Sequence, residues 1–147
     1  MINTNENTVL IIGKAASGKS TLASKLYKEH PEFLLFRSDD YIHHGYEQSL
    51  YALMDDITKN KGKKMIIEGV QGYRLLRKGV ELGTFTPDVI FITEASFQER
   101  CARYMNRGES DKIKKLPGFD KNLDTVYREY LQNRTTEPRT VEIETEL

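Results

Sequence analysis

Short apolar runs alternate along the whole chain with longer stretches in which apolar residues recur every three or four positions. The runs Val9–Ile12, Phe33–Phe36, Lys64–Ile67, Val89–Ile92 and Thr140–Ile143 predict strands. The helical spacing predicts helices over Lys19–Glu29, Glu47–Asn60, Arg74–Leu82, Ser96–Arg107 and Leu123–Asn133. This alternation predicts an α/β fold, a three-layer sandwich with a five-stranded parallel sheet and helices on both faces. The first four strand runs are continuously apolar, as strands buried on both faces would be. Thr140-Val141-Glu142-Ile143-Glu144 instead alternates, as suits an edge strand with one wet face. In open sheets of this kind ligands gather beyond the carboxyl ends of the strands, so the residues that follow each run carry the functional argument.

After the first run comes Gly13-Lys14-Ala15-Ala16-Ser17-Gly18-Lys19-Ser20, the spacing Gly, four free positions, Gly, Lys, Ser. Gly13 and Gly18 allow sharp turns and close approach of the backbone to a ligand. The amides of Ala15, Ala16, Ser17, Gly18, Lys19 and Ser20 are then expected to form an anion nest at a helix N-terminus. Lys19 is expected to reach the β- and γ-phosphates, and the Ser20 hydroxyl to ligate Mg²⁺; Thr21, next on the helix, completes the nucleotide-binding set. The predicted ligand is a nucleoside triphosphate, with ATP and Mg²⁺ as the cofactors.

Composition narrows this further. A chain of 147 residues suits a single domain over 1–147 that buries its core without staples. Lys plus Arg and Asp plus Glu number 22 each, so no overall basic field marks a general nucleic-acid binder. The single cysteine, Cys101, reads as a small packing residue, and His30, His43 and His44 lack metal-ligand spacing. No apolar stretch has the length of a membrane span or leader, which makes a cytoplasmic protein without a membrane partner the expectation. Lys112–Gly118, rich in Lys, Pro and Gly, reads as an exposed mobile connection.

The remaining strand ends carry Arg37-Ser38-Asp39-Asp40-Tyr41, then Glu68-Gly69-Val70-Gln71-Gly72-Tyr73-Arg74, then Thr93 and Glu94 leading to a helix with Arg100, Arg103 and Arg107. With these motifs nearly the whole chain resembles the small P-loop kinases, which include nucleoside monophosphate, gluconate and adenylylsulfate kinases and polynucleotide 5′-kinases. The spacing Arg103-Tyr104-Met105-Asn106-Arg107 resembles the opening of a lid, here about 103–135. The resemblance implies that Arg103 lies against adenine and Arg107 reaches the phosphates. It implies Asp39 as the carboxylate beside the acceptor hydroxyl, with Asp40 as a cap. Glu68 matches either the acid that holds a Mg²⁺-bound water or, with Arg74, the segment that grips an acceptor phosphate. Arg74 or Arg37 is the candidate for the acceptor's other end. Tyr41, Tyr46 and Tyr73 are candidates to stack an acceptor base, whereas Tyr51 reads as packing. Such kinases usually carry a final helix over the last strand, so the uncovered face must be short, polar on one side or hidden in a homodimer.

These residues favour phosphoryl transfer over switching. Asn60-Lys61-Gly62-Lys63 is a poor match to a guanine-reading segment, whereas Lys19, Mg²⁺ and arginines at 100, 103, 107, 128, 134 and 139 suit charge neutralisation in a closing site. The predicted activity is ATP-dependent transfer of the γ-phosphate to a hydroxyl or phosphate of a small molecule or nucleotide. One alternative is a polynucleotide 5′-hydroxyl kinase, whose nucleic-acid end would follow Lys59, Lys61, Lys63 and Lys64 or Lys112, Lys114 and Lys115. The other is a non-catalytic ATP-binding sensor whose lid signals to a partner.

Overall fold

The structure, a computed structural model, describes residues 1–145. Five strands form one parallel sheet: β1 (Thr8–Gly13), β2 (Leu34–Arg37), β3 (Met65–Glu68), β4 (Val89–Glu94) and β5 (Arg139–Glu144). Their order is β2-β3-β1-β4-β5, so β1 is central and its carboxyl end opens between β3 and β4. The helices are α1 (Lys19–Glu29), α2 (Tyr46–Lys59), α3 (Gln71–Leu82), α4 (Phe97–Asn106) and α5 (Leu116–Asn133), with 3-10 turns over Ser38–His44 and Ser110–Lys115.

Period-two alternation divides the strand residues between two cores. Leu10, Ile12, Ile67 and Ile90 pack against Leu50, Leu53 and Ile57 of α2, Leu75 and Leu76 of α3 and Tyr130 of α5. Val9, Ile11, Ile66, Val89 and Phe91 face the other way, onto Leu22, Ala23 and Leu26 of α1. Both faces of the central strands are therefore dry, as their unbroken apolar runs require.

Two expectations are corrected. Phe33–Phe36 reads as a strand buried on both faces, yet β2 is an edge strand, with Leu34 exposed and the rest half-buried. Lys112–Gly118 reads as an open connection, yet it forms a 3-10 turn and the first turn of α5, where Pro117 is tolerated because the first amides of a helix have no carbonyl to bond. Leu116 is buried there against Ala16 and Tyr104.

The amino-terminal segment packs beside β5. Val141 and Ile143 of β5 point to the α1 side, where Ile2 packs against the same cluster. Arg139 fixes that N-terminal segment by donating to Glu6 Oε1 at 2.7 Å and to the Met1 carbonyl. This committed ion pair also removes Arg139 from the arginines available to a closing lid. Among the described residues no helix is long and apolar enough to cross a membrane.

Candidate functional site

The link between β1 and α1 has the geometry of an anion cradle. Gly18 caps α1 with φ 98 and ψ 15, a left-handed conformation, and no side chain caps this N-terminus. By contrast, α4 is closed by Ser96, whose hydroxyl accepts from the Glu99 amide at 3.1 Å. Ala16 is also left-handed, at φ 61. Among the described residues the amides of Ala15, Ala16 and Gly18 have no hydrogen-bond acceptor; Ser17 donates to the Lys14 carbonyl at 3.1 Å. Gly13 is required by close approach, since a Cβ there would stand 2.2 Å from Thr93 Oγ1 and 2.8 Å from the Thr93 carbonyl.

Three carbonyls of this loop are held from outside. Arg103 donates to the Ala16 carbonyl at 2.8 Å, Thr145 to the Ser17 carbonyl at 2.5 Å, and Arg100 to the Ala15 carbonyl at 3.4 Å. Arg103 also donates to the Thr145 carbonyl at 3.0 Å and to Glu99 at 3.1 Å. Arg100 is gripped by both carboxylate oxygens of Asp120 on α5, at 3.1 and 2.6 Å. With these carbonyls held and the amides of Ala15, Ala16 and Gly18 left without acceptors, the loop suits a polyanion.

Arg103 is therefore a brace of the loop in this structure, with both Nη groups bonded to Ala16, Thr145 and Glu99 rather than open to a base. Arg107 differs. It is exposed and makes no side-chain hydrogen bond among the described residues. Arg107, Arg103, Asn106, Thr21, Lys25 and Thr145 line a cavity of about 500 Å³ beside the loop. A larger cavity, about 770 Å³, is lined by Lys14, Tyr73, Glu94, Arg100, Asp124 and Tyr127.

Lys19 is buried and donates to the Lys14 carbonyl at 2.9 Å. Burial brings its ammonium down to about 8; Glu68 and Asp39 oppose that, while Arg100 and Arg107 add to it. Those two carboxylates thus share the field of Lys19. Glu68 is itself buried, and desolvation raises its carboxyl against the pull of Lys19 and Arg37. Asp39 stands exposed at the start of the 3-10 turn, as does Asp40. No side-chain cap bond forms at this turn, so the capping role expected of Asp40 is absent.

Arg37 has an unexpected place. Its guanidinium donates to Ser20 Oγ at 2.8 Å, Glu68 at 3.1 Å and Ser24 Oγ at 2.8 Å. Arg74 is likewise engaged, donating to the Tyr46 carbonyl at 3.0 Å, Gln71 at 2.9 Å and Glu47 at 3.0 Å, with its guanidinium 4.0 Å from the Tyr46 ring centre. It joins α3 to α2. Two of the tyrosines expected to stack an acceptor base are otherwise engaged: Tyr41 donates to Asp56 of α2, and Tyr73 packs in the core, edge-on to Tyr127. Tyr46 remains exposed.

The residues fit the groups that the motif implies. Free amides, a buried ammonium and an uncapped helix suit a triphosphate. Ser20 Oγ and Glu68, joined through one guanidinium, are oxygen donors of the type that Mg²⁺ takes. No cluster of three or more His, Cys, Asp or Glu side chains able to hold a metal occurs among the described residues, so phosphate oxygens and water would complete the shell. Sequence reasoning missed Thr145 and the Arg100–Asp120 pair, because nothing local marks either.

The parallel sheet and its loop define a P-loop protein with the fold of the small P-loop kinases. The chain is similar to shikimate kinase from Acinetobacter baumannii, at 14% identity and TM-score 0.64 over 97% of this chain and 86% of that one. It is similar to deoxyadenosine kinase from M. mycoides, at 13% identity and TM-score 0.58 over 95% and 91%. A gluconokinase from Sinorhizobium meliloti gives 12% identity and TM-score 0.54 over 95% and 82%. A family model described as RNA helicase matches residues 9–93, more than half of the chain, and the chain belongs to that family. None of the curated proteins compared with it matches by sequence.

Proposed function

We propose that this chain is an ATP-dependent phosphotransferase that moves the γ-phosphate to a hydroxyl or phosphate of a small molecule or nucleotide. The observation that carries the reading is the exposed Asp39 carboxylate in the field of Lys19 and Glu68, at the mouth of the phosphate loop. A carboxylate so placed accepts the proton of an acceptor hydroxyl and holds its oxygen in line. Lys19 neutralises charge on the phosphates, the amides of Ala15 to Ser20 hold them, and Arg107 closes from α4. Mg²⁺, held through Ser20 and by water on Glu68, would supply charge neutralisation on the phosphate oxygens. The similar folds whose names specify shikimate, deoxyadenosine and gluconate kinases support the transfer class.

The family name favours a second reading, hydrolysis of the triphosphate stimulated by RNA, since the match covers β1 through β4 and with them the loop. Lys59, Lys61, Lys63 and Lys64 do not serve that reading or a polynucleotide kinase, because they lie at the amino end of β3, whereas Asp39 lies beyond the carboxyl end of β2. Lys112, Lys114 and Lys115 of the second 3-10 turn are left as the basic track.

The test is incubation of γ-labelled ATP with nucleosides, nucleoside monophosphates, sugar acids, 5′-hydroxyl oligonucleotides and RNA. Label on a small acceptor supports the proposal, and label on an oligonucleotide end supports its polymer variant. Free phosphate that rises with RNA, with no labelled acceptor, replaces transfer with hydrolysis. Binding of ATP without either product assigns a sensor.

A further inference from the structure

We infer that Arg37 is a stand-in cation: its guanidinium holds the oxygen donors that a divalent metal takes, and metal arriving with nucleotide displaces it toward the acceptor. The inference rests on the nucleotide reading above. Arg37 Nη1 lies 2.8 Å from Ser20 Oγ and 3.1 Å from Glu68 Oε2. Ser20 is the motif's metal ligand, and Glu68 is the carboxylate at the end of the neighbouring strand. A single positive group therefore joins both.

The arrangement follows from the fold. Arg37 is the last residue of β2 and pairs in register with Glu68, the last of β3, so the backbone is fixed and only the side chain is free to move. Ser24, one turn along α1 from Ser20, takes Nη2 at 2.8 Å, which orients the planar group across the helix start. Glu68 is buried, and a buried carboxylate without a partner is costly, so a ligand-free protein needs a cation here. Lys19 supplies part of that charge from the other side.

A metal on Ser20 Oγ would stand beside the same guanidinium, and two cations on one pair of oxygens repel at close range. One must leave. The Arg37 side chain is about a quarter exposed, so it has a path to solvent. Asp39, two residues on, makes no side-chain hydrogen bond among the described residues and marks the direction of the acceptor. Arg37 is thus a positioning residue that becomes available to an anionic acceptor group only once the metal and nucleotide are seated.

The test is calorimetric titration of ATP at graded Mg²⁺ on the full chain, for wild type, Arg37→Gln and Arg37→Lys. Arg37→Gln is expected to lower the Mg²⁺ concentration for half-maximal ATP binding about tenfold, a usual size for coupling between adjacent ligands, and to lower the ligand-free melting temperature. Arg37→Lys, which cannot span Ser20, Ser24 and Glu68 together, falls between. In the wild type, the Arg37 side-chain NMR resonances move on Mg·ATP and stay in place on ATP with EDTA; this holds whether or not the variants fold. An unchanged or increased Mg²⁺ requirement in Arg37→Gln, equal ATP affinity with and without Mg²⁺ in the wild type, or static Arg37 resonances overturns the inference and leaves the nucleotide reading standing. Absence of ATP binding at every Mg²⁺ concentration overturns both.

Discussion

On the β4–β5 side of Lys19 the phosphate loop is held by Arg100, Arg103 and Thr145, each bonded to a different loop carbonyl. On the β2–β3 side, Asp39, Asp40 and most of the turn through His44 lie exposed, and Tyr46 projects beyond it. On the proposed function the difference divides the labour of the site. A polyphosphate has the same shape in every cycle, so a rigid cradle gains affinity by spending its ordering cost during folding. On the proposed transfer an acceptor must enter, react and leave, and the exposure of the β2–β3 side suits that traffic.

The largest effect expected is that of Lys19→Ala. It strips the loop of its buried ammonium and removes a charge from the Glu68 field, so nucleotide binding by calorimetry and any transfer are expected to vanish together. Retained ATP binding would show that the amides alone suffice, and the contrast between the two sides would shrink. Asp39→Asn tests the other side. ATP binding is expected to persist within a few fold while transfer falls by about 10²- to 10⁴-fold, the usual span for a lost general base. Should Asp40→Asn or Glu68→Gln lose transfer while Asp39→Asn keeps it, the base has been misplaced.

How much of this was legible in the sequence follows the same division. The cradle was legible because its chemistry is local: Gly13 and Gly18 permit the backbone path and Lys19 follows at a fixed offset. The alternate parity of Val9, Leu10, Ile11 and Ile12 was legible as a run buried on both faces. The brace was not, because Arg103 on a helix reads the same whether it faces solvent or a carbonyl three elements away. The left-handed Ala16, whose carbonyl it meets, carries no sequence signal. The position of β2 was misread because strand order is set by crossovers, and an apolar run does not reveal whether it ends at the edge. The partners of Tyr73 and Tyr41 are not legible either, since helix phase puts one in the core and a carboxylate fifteen residues on takes the hydroxyl of the other.

Arg103→Met probes whether the brace is what makes the cradle rigid. It leaves the carbonyls of Ala16 and Thr145 without a donor and is expected to cost about 1–3 kcal/mol of stability in denaturant unfolding. ATP affinity should fall about tenfold, as the loop loses order that binding must then restore. Thr145→Val, which removes the bond donated to Ser17 and the one accepted from Arg103 and keeps the shape, should show a weaker version of both, and Thr145→Ser should restore wild-type behaviour. Loss of stability with unaltered ATP affinity would make these residues packing elements alone.

The effect that is smallest at neutral pH is a pH dependence that belongs to the cradle and should be absent from the acceptor side. Burial holds the Lys19 ammonium at about 8, below the 10.5 of an exposed lysine. Between those values the unfolded chain binds more protons than the folded one, so this residue makes stability rise with pH from about 8 to 10.5. Nucleotide affinity should move in the opposite direction. Below pH 8 Lys19 is charged and ready; above it the free protein must take up a proton to meet the phosphates, and affinity falls by up to about tenfold per pH unit until the bound form also titrates. Calorimetry at pH 8.5 in buffers of different ionisation heat should register this uptake, and Asp39→Asn should leave it nearly intact while Lys19→Met removes it from whatever binding remains. Equal heats in every buffer would mean that Lys19 stays charged when empty and that the carboxylates of Glu68 and Asp39 outweigh its burial.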